Sequence, residues 1–167
     1  MNIILEGPDA TGKSTLANSL KEKYHMDKII HCGADGKNDY NYFVDLLDNN
    51  ENTVFDRFHI GEMVYPVIYG RDFKLTEEDF RKINNRIIEK NAIVIIFYSS
   101  DIDLLKERLV ERDEYHYLKE IDQQNKEYLK RMYILNVYED MNLKFVDVAN
   151  ENAYSDLDKW IERRFKE

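Results

Sequence analysis

Residues 3–5 form a short apolar run, Gly7 follows closely, and Gly12, Lys13 and Ser14 end the segment GPDATGKS before Leu16, Ala17 and Leu20 recur at helical spacing. No other stretch restricts the fold of the chain as much. A strand, a glycine-bounded loop and a helix in immediate succession are the context of a phosphate-binding loop. Glycines let consecutive backbone N–H groups turn inward around phosphate oxygens, and the positive end of the following helix adds to the attraction. The spacing lets Lys13 reach the β and γ phosphates of a nucleoside triphosphate and sets the Ser14 hydroxyl where a bridging magnesium ion is held. Thr15 is placed for a contact further back on the nucleotide. An ordinary glycine-containing turn is the alternative, and the flanking strand and helix weigh against it.

At 167 residues the chain fits a single domain, 1–167, long enough to bury a core without disulfides or a structural metal. Cys32 is the only cysteine, which excludes a disulfide framework or a cysteine-built zinc site within one chain. His25, His31, His59 and His116 are scattered without ligand spacing. The net charge of −9 argues against a broad nucleic-acid footprint, so an anionic ligand has to be gripped by a local cluster. No apolar run reaches membrane-spanning length and the amino terminus lacks a basic-then-apolar signal pattern, so the expected location is the cytoplasm, with no membrane partner.

Beyond the first helix, the patterns predict a strand at 28–32, a glycine-containing loop at 33–37, a helix near 40–47 and a strand at 53–55 leading into Asp56 and Arg57. Helices follow at 60–69 and 76–90, the second opened by Thr76 and three acidic residues. The strongest strand pattern, 92–98, precedes helices at 101–112 and 119–138, a strand at 143–148 and a last helix at 155–165. This alternation implies an α/β, three-layer fold, a parallel sheet of about five strands with helices on both faces. Ligands in such sheets bind beyond the carboxyl ends of the strands. On that edge fall Glu6 and Asp9, then Asp56, Arg57 and Phe58, then Ala149 and Asn150, the last two suited to lining an adenine pocket through backbone contacts. Asp56 can hold a magnesium-coordinated water or accept a proton, and Arg57 can hold a substrate phosphate. A strand-capping aspartate beside a surface arginine explains the pair as well.

The segment EGPDATGKST, 6–15, resembles the phosphate loop of thymidylate kinases, which carry E-G-x-D-x-x-G-K-S/T. DRFHIGEMVYPVIYGR, 56–71, resembles their second signature, Asp-Arg-aromatic followed by a helix with an aromatic residue and then an arginine. FVDVANENAYSDLDKWI, 145–161, resembles their last strand, adenine loop and final helix. The resemblance implies the P-loop NTPase fold, with Gly7, Asp9, Ala10, Thr11, Gly12, Lys13, Ser14, Thr15 and Asn150 on ATP and Mg2+ held by Ser14 and Asp56. It assigns Asp9 to the 3′-hydroxyl of a deoxyribose, Arg57 to the acceptor monophosphate, and Phe58 and Tyr65 to the base and sugar, with Arg71 on the substrate side. Tyr65 also suits the core, and its neighbour Pro66 is expected to kink the helix and open its backbone. The family often forms homodimers through helices, and the helix at 60–69 carries apolar surface that serves either a partner or the core. The chain departs from the family in reading HCGADG where an Arg-Glu-Pro-Gly-like turn stands, and Pro66 where a base-reading glutamine stands. Its compact form looks similar to nucleotide kinases encoded by bacteriophages.

Arg108 and Arg112 lie four apart on one predicted helical face, ahead of the charged DEYHY, and suggest a lid around 108–118. Some members of the family keep a catalytic arginine inside the phosphate loop, and here the residue after Asp9 is Ala10, so the lid has to supply that charge. Pairing with Glu107, Glu111 or Asp113 on a solvated face is the plainer use of these arginines. The resulting expectation is ATP-dependent transfer of the γ-phosphate to a deoxynucleoside monophosphate, thymidylate or a 5-substituted pyrimidine analogue first. Lys13, Arg57, Asp56, Arg108 and Arg112 carry that transfer. Glu6 becomes the general base if the acceptor is instead a neutral hydroxyl, on a deoxynucleoside or in DNA. A nucleotide-binding regulatory ATPase is the rival from another class.

Overall fold

The apolar run that opens the chain becomes β1 (Ile3–Glu6), the middle strand of a five-stranded sheet, and all four of its residues are buried. A computed structural model describes residues 1–33 and 37–166, so the loop expected at 33–37 lies partly outside the described residues. In order the elements are β1, α1 (Lys13–Lys23), β2 (Lys28–His31), α2 (Tyr40–Asn49), β3 (Thr53–Asp56), α3 (Gly61–Tyr69), α4 (Glu77–Glu89) and β4 (Ile93–Tyr98). They continue with α5 (Ile102–Glu111), a single tight turn at Tyr115–Tyr117, α6 (Ile121–Leu135), β5 (Asn142–Asp147) and α7 (Ala153–Lys166). The sheet order is β2-β3-β1-β4-β5, with every pairing parallel.

Side chains of a strand alternate between faces, and here the alternation divides the core in two. Ile3, Leu5, Val54, Ile93, Ile95 and Phe97 pack with Ala17 and Leu20 of α1, Leu105 and Leu109 of α5, and Leu157 and Ile161 of α7. Ile4, Phe55, Val94 and Ile96 point the other way, onto α2, α3, α4 and the Tyr128, Met132 and Leu135 stripe of α6. The helix that follows β1 therefore covers one face and the helix that follows β3 the other, although the two strands are neighbours. That divergence opens a crevice between their carboxyl ends, the usual ligand position in such a sheet.

Local chemistry sets the boundaries. Thr76 accepts from the Asp79 N–H and the Asp79 carboxylate reaches back to the Thr76 N–H, a capping box that starts α4. α3 runs unbroken through Pro66, whose carbonyl accepts from the Gly70 and Arg71 N–H groups at the helix end, so the expected kink does not interrupt the helix.

Between the turn after β3 and α4 lies a buried polar pair: His59 Nε2 donates to Asn84 Oδ1 at 2.7 Å among Phe43, Phe58 and Phe80. Burial pushes His59 from 6.5 down to about 4, against the opposing effect of its hydrogen bond to Asn84. Between those two pH values the unfolded chain holds more protons than the folded one, so stability is complete above about 6.5 and falls as pH drops toward 4. The expected loss is on the order of 3 kcal/mol. Urea midpoints measured at pH 7.5 and pH 4.5 should diverge by less in His59→Gln than in the parent, and an identical divergence would remove His59 as the cause.

Candidate active site

β1 ends in Glu6, and the chain leaves the sheet through Gly7 at φ +142°, where a Cβ would stand 2.7 Å from the Phe97 carbonyl oxygen. Only glycine passes this point without displacing β4. Gly12, at φ +82°, caps α1, and a Cβ there would meet the Tyr154 hydroxyl at 2.8 Å. Between them the loop folds back so that the buried Lys13 ammonium donates to the Pro8 carbonyl at 2.6 Å and to Thr11 Oγ1 at 3.2 Å. Burial, helped by the Arg57 charge, lowers Lys13 to about 7 despite Asp9, Asp56 and Glu6 nearby.

The end of β3 faces this loop. Ser14 Oγ donates to Asp56 Oδ2 at 2.7 Å, and His31 Nδ1 lies 3.0 Å from the same oxygen. Arg57 adopts φ +68°, a left-handed conformation uncommon for a residue with a side chain, while its N–H still donates to the Leu5 carbonyl at 2.9 Å. The strand thus stays paired to β1 up to the residue where the chain turns off. The Arg57 guanidinium donates to the Gly7 carbonyl at 3.1 Å, to the Tyr65 hydroxyl and to Asp9 Oδ1. Asp9 is gripped from the other side by Gln124 of α6, which donates to Asp9 Oδ2 and accepts from the Asp9 N–H, both at 2.9 Å.

Glu6 differs from its expected place. Its carboxylate is fully buried beneath the loop, Oε1 accepting from the N–H groups of Phe58, Ile60 and Gly61 at 2.9, 2.9 and 3.3 Å, and Oε2 from the Tyr128 hydroxyl at 3.0 Å. Burial raises its pKa, opposed by the Arg57 charge and these bonds. Glu6 joins the turn after β3 to α6 and lines no part of the crevice, which is a poor position for a general base.

The crevice holds three chambers in series. The outer one, about 800 Å³, lies over α1 between Thr15, Leu16 and Ser19, with Arg108 and Arg112 on one side and Tyr154, Ser155 and Asp158 of α7 on the other. The middle one, about 320 Å³, is walled by the loop, Ser14, His31, Asp56, Arg57 and Arg112. The inner one, about 200 Å³, runs from Asp9 and Arg57 past Phe58, Glu62, Tyr65 and Tyr69 to Arg71. Arg108 donates to the Ala10 carbonyl at 3.2 Å, and Arg112 pairs with Glu114 at 2.7 Å. The residues expected at the substrate, Asp9, Arg57, Phe58, Tyr65 and Arg71, do converge on one chamber. Asn150 does not join them or the outer chamber: its carbonyl accepts the Ala153 N–H at 3.0 Å and it serves to start α7. α7 itself supplies the wall expected of Asn150.

Beyond the residues expected from the chain, the site draws on His31, Glu62, Tyr69, Gln124, Tyr128 and Tyr154. Gln124 and Tyr128, with Asn125 holding both backbone groups of Ser99, sit on the buried face of α6 beside Ile121 and Met132. Polar side chains at core positions of an amphipathic helix are a legible sign of internal partners. Among the described residues there is no group of three or more His, Cys, Asp or Glu side chains that could hold a metal ion, and no helix is long and apolar enough to cross a membrane.

No family model matches the sequence. It is 34% identical over 125 residues to the SPbeta prophage-derived protein YorR of Bacillus subtilis strain 168, an alignment spanning 72% of this chain and 74% of YorR. The crystal structure of YorR in complex with phosphorylated GDP matches over 100% of this chain and 99% of its own, with TM-score 0.82 and 27% identity. Deoxyadenosine kinase from M. mycoides with bound dATP matches over 97% and 99% of the two chains, with TM-score 0.58 and 17% identity, a likeness of fold.

Proposed function

The chain belongs to the family of YorR, and from that premise and the geometry of the crevice we propose that it is a nucleotide kinase, transferring the γ-phosphoryl group of ATP to a deoxynucleoside monophosphate. The observation that carries this reading is the junction of the middle and inner chambers, where one guanidinium, Arg57, is held by Asp9, Gly7 and Tyr65 at the head of the phosphate loop. Three of its five N–H groups are engaged, which aims the remainder. A monophosphate seated in the inner chamber meets that cation, and its attacking oxygen is already ionised at neutral pH. No general base is then needed, in keeping with a Glu6 that is sealed away.

The rest of the reaction follows from positioning and charge. The loop N–H groups and Lys13 bind the β and γ phosphates, and the outer chamber takes the rest of the donor. Ser14 and Asp56 offer hard oxygen donors toward the middle chamber, the right chemistry for Mg2+, which keeps most of its shell in phosphate oxygens and water. When bound, such an ion neutralises charge on the β and γ phosphates. Arg108 and Arg112 flank the outer and middle chambers and close the lid over the transferring group. Arg112→Ala is expected to lower kcat by about 10²- to 10³-fold while the Kd for ATP changes far less. A matched loss in both would reduce Arg112 to a binding residue, and unchanged turnover would end the lid assignment.

Thymidylate or a 5-substituted deoxyuridylate is the first acceptor to try, and the nucleotide named for YorR brings guanine nucleotides into the same set. ADP release from ATP and Mg2+ is to be measured against deoxynucleosides, their monophosphates and a DNA oligomer. Release driven by a monophosphate supports the reading. Release driven only by nucleosides or DNA replaces it with hydroxyl phosphorylation, and release indifferent to any acceptor leaves a nucleotide-binding ATPase.

A further inference from the structure

Glu62 stands in the first turn of α3, and with Tyr65 and Tyr69 it lines the inner chamber from one helix face. Its carboxylate is divided in use. Oε1 accepts from Asn38 Nδ2 at 2.7 Å, whereas Oε2 has no hydrogen-bond partner among the described residues. Asn38 is 1% exposed, and the same Nδ2 donates to the Gly33 carbonyl at 2.7 Å. With an acceptor on each side of that nitrogen, the amide has one workable orientation. The pair therefore holds an acceptor oxygen in place on Glu62, in a chamber that Tyr65, Tyr69, Arg57 and Arg71 also line.

We propose that Glu62 selects the base of the acceptor, admitting one that offers an N–H at the centre of its pairing edge, thymine or guanine, over one that offers a bare ring nitrogen there, cytosine or adenine. The inference rests on the acceptor reading of the inner chamber. The N3–H of thymine or the N1–H of guanine donates to Oε2, while the lone pair of cytosine N3 or adenine N1 faces a carboxylate oxygen and is repelled. Phosphate contact at Arg57 is common to all four nucleotides, so discrimination falls to the base end.

Direct binding separates this from the reaction itself. Calorimetric Kd values for dTMP, dGMP, dCMP and dAMP, taken with the parent protein, should favour the first two by about 10- to 100-fold. In Glu62→Gln, Asn38 holds the new carbonyl oxygen where Oε1 was, which turns the new NH2 group toward the chamber. The order should then invert in favour of dCMP and dAMP, and the added change Asn38→Ala should free the amide to flip and flatten the preference. On the ligand side, N3-methylthymidylate should lose a similar factor against the parent protein, a test that needs no variant. An order unchanged in Glu62→Gln, or undiminished binding of the methylated nucleotide, overturns the proposal. Because Kd is the readout, an inverted order without phosphoryl transfer would keep the selection and discard the kinase, whereas transfer with an unchanged order would discard Glu62 alone.

Discussion

Lys13→Ala is expected to lower kcat/KM for phosphoryl transfer by about a thousandfold without weakening the fold. The two halves of this outcome have one cause. Lys13 is 6% exposed, and burial, with the Arg57 charge, draws its pKa down to about 7 against the nearby carboxylates, so the folded chain carries the ammonium at a cost in free energy that alanine does not. In the proposed reaction the site gains a cation placed against the phosphates, at the position where charge moves during transfer. A urea midpoint equal to or above that of the parent, with turnover nearly abolished, is the expected pair of readings; a destabilised variant would make Lys13 a structural residue. The same burial gives donor binding a pH dependence. Below about pH 7 the ammonium is already formed, whereas above it binding a polyphosphate must take up a proton, so affinity for ATP should fall as pH rises beyond 7. Calorimetry at pH 8 in buffers of different ionisation enthalpy should register that proton uptake.

The second large effect falls on stability. Glu6→Ala is expected to cost at least about 3 kcal/mol, because it orphans the N–H groups of Phe58, Ile60 and Gly61 and the hydroxyl of Tyr128 in a site closed to water. Glu6→Gln is the informative partner. Its carbonyl oxygen can still accept from the turn after β3, and the Tyr128 hydroxyl can rotate to accept from the new amide, so the loss should be smaller and turnover largely retained. A Glu6→Gln protein that folds but transfers nothing would restore Glu6 as a general base and with it a hydroxyl acceptor. Thermal unfolding and ADP release on the same two variants decide the matter.

How far the chain could be read depended on whether the physics was local. Strand, loop and helix at residues 3–23, the alternation that makes a parallel sheet, and the convergence of strand ends on one edge all follow from patterns a few residues long. Element ends moved by three residues or fewer, as at α6, expected from 119 to 138 and found at Ile121–Leu135. The role of Glu6 was not local. A glutamate next to a phosphate loop reads as chemistry, and only the arrival of Tyr128, 122 residues away, together with the N–H groups after β3, reveals it as a buried joint. Asn150 stands outside the outer chamber for the opposite reason: the neighbourhood is legible, but which residue of the following turn faces the crevice depends on where α7 begins. The grip of Gln124 on Asp9 spans 115 residues and left only one trace, a polar side chain on an otherwise apolar helix face.

These long spans set a schedule for the chain as it is made. β1 and the phosphate loop leave the ribosome first, yet one neighbour of β1, β4, is completed only at Tyr98, and the side chains that fix Glu6 and Asp9 arrive with Gln124 and Tyr128. Until then a carboxylate at the centre of the sheet has no cover, and water is its better partner. A growing chain that stops short of α6 should therefore bind nucleotide poorly and remain open to proteases at its amino-terminal third. On that expectation the competence to bind a phosphate comes late, with a helix that contributes no residue to the phosphate loop itself.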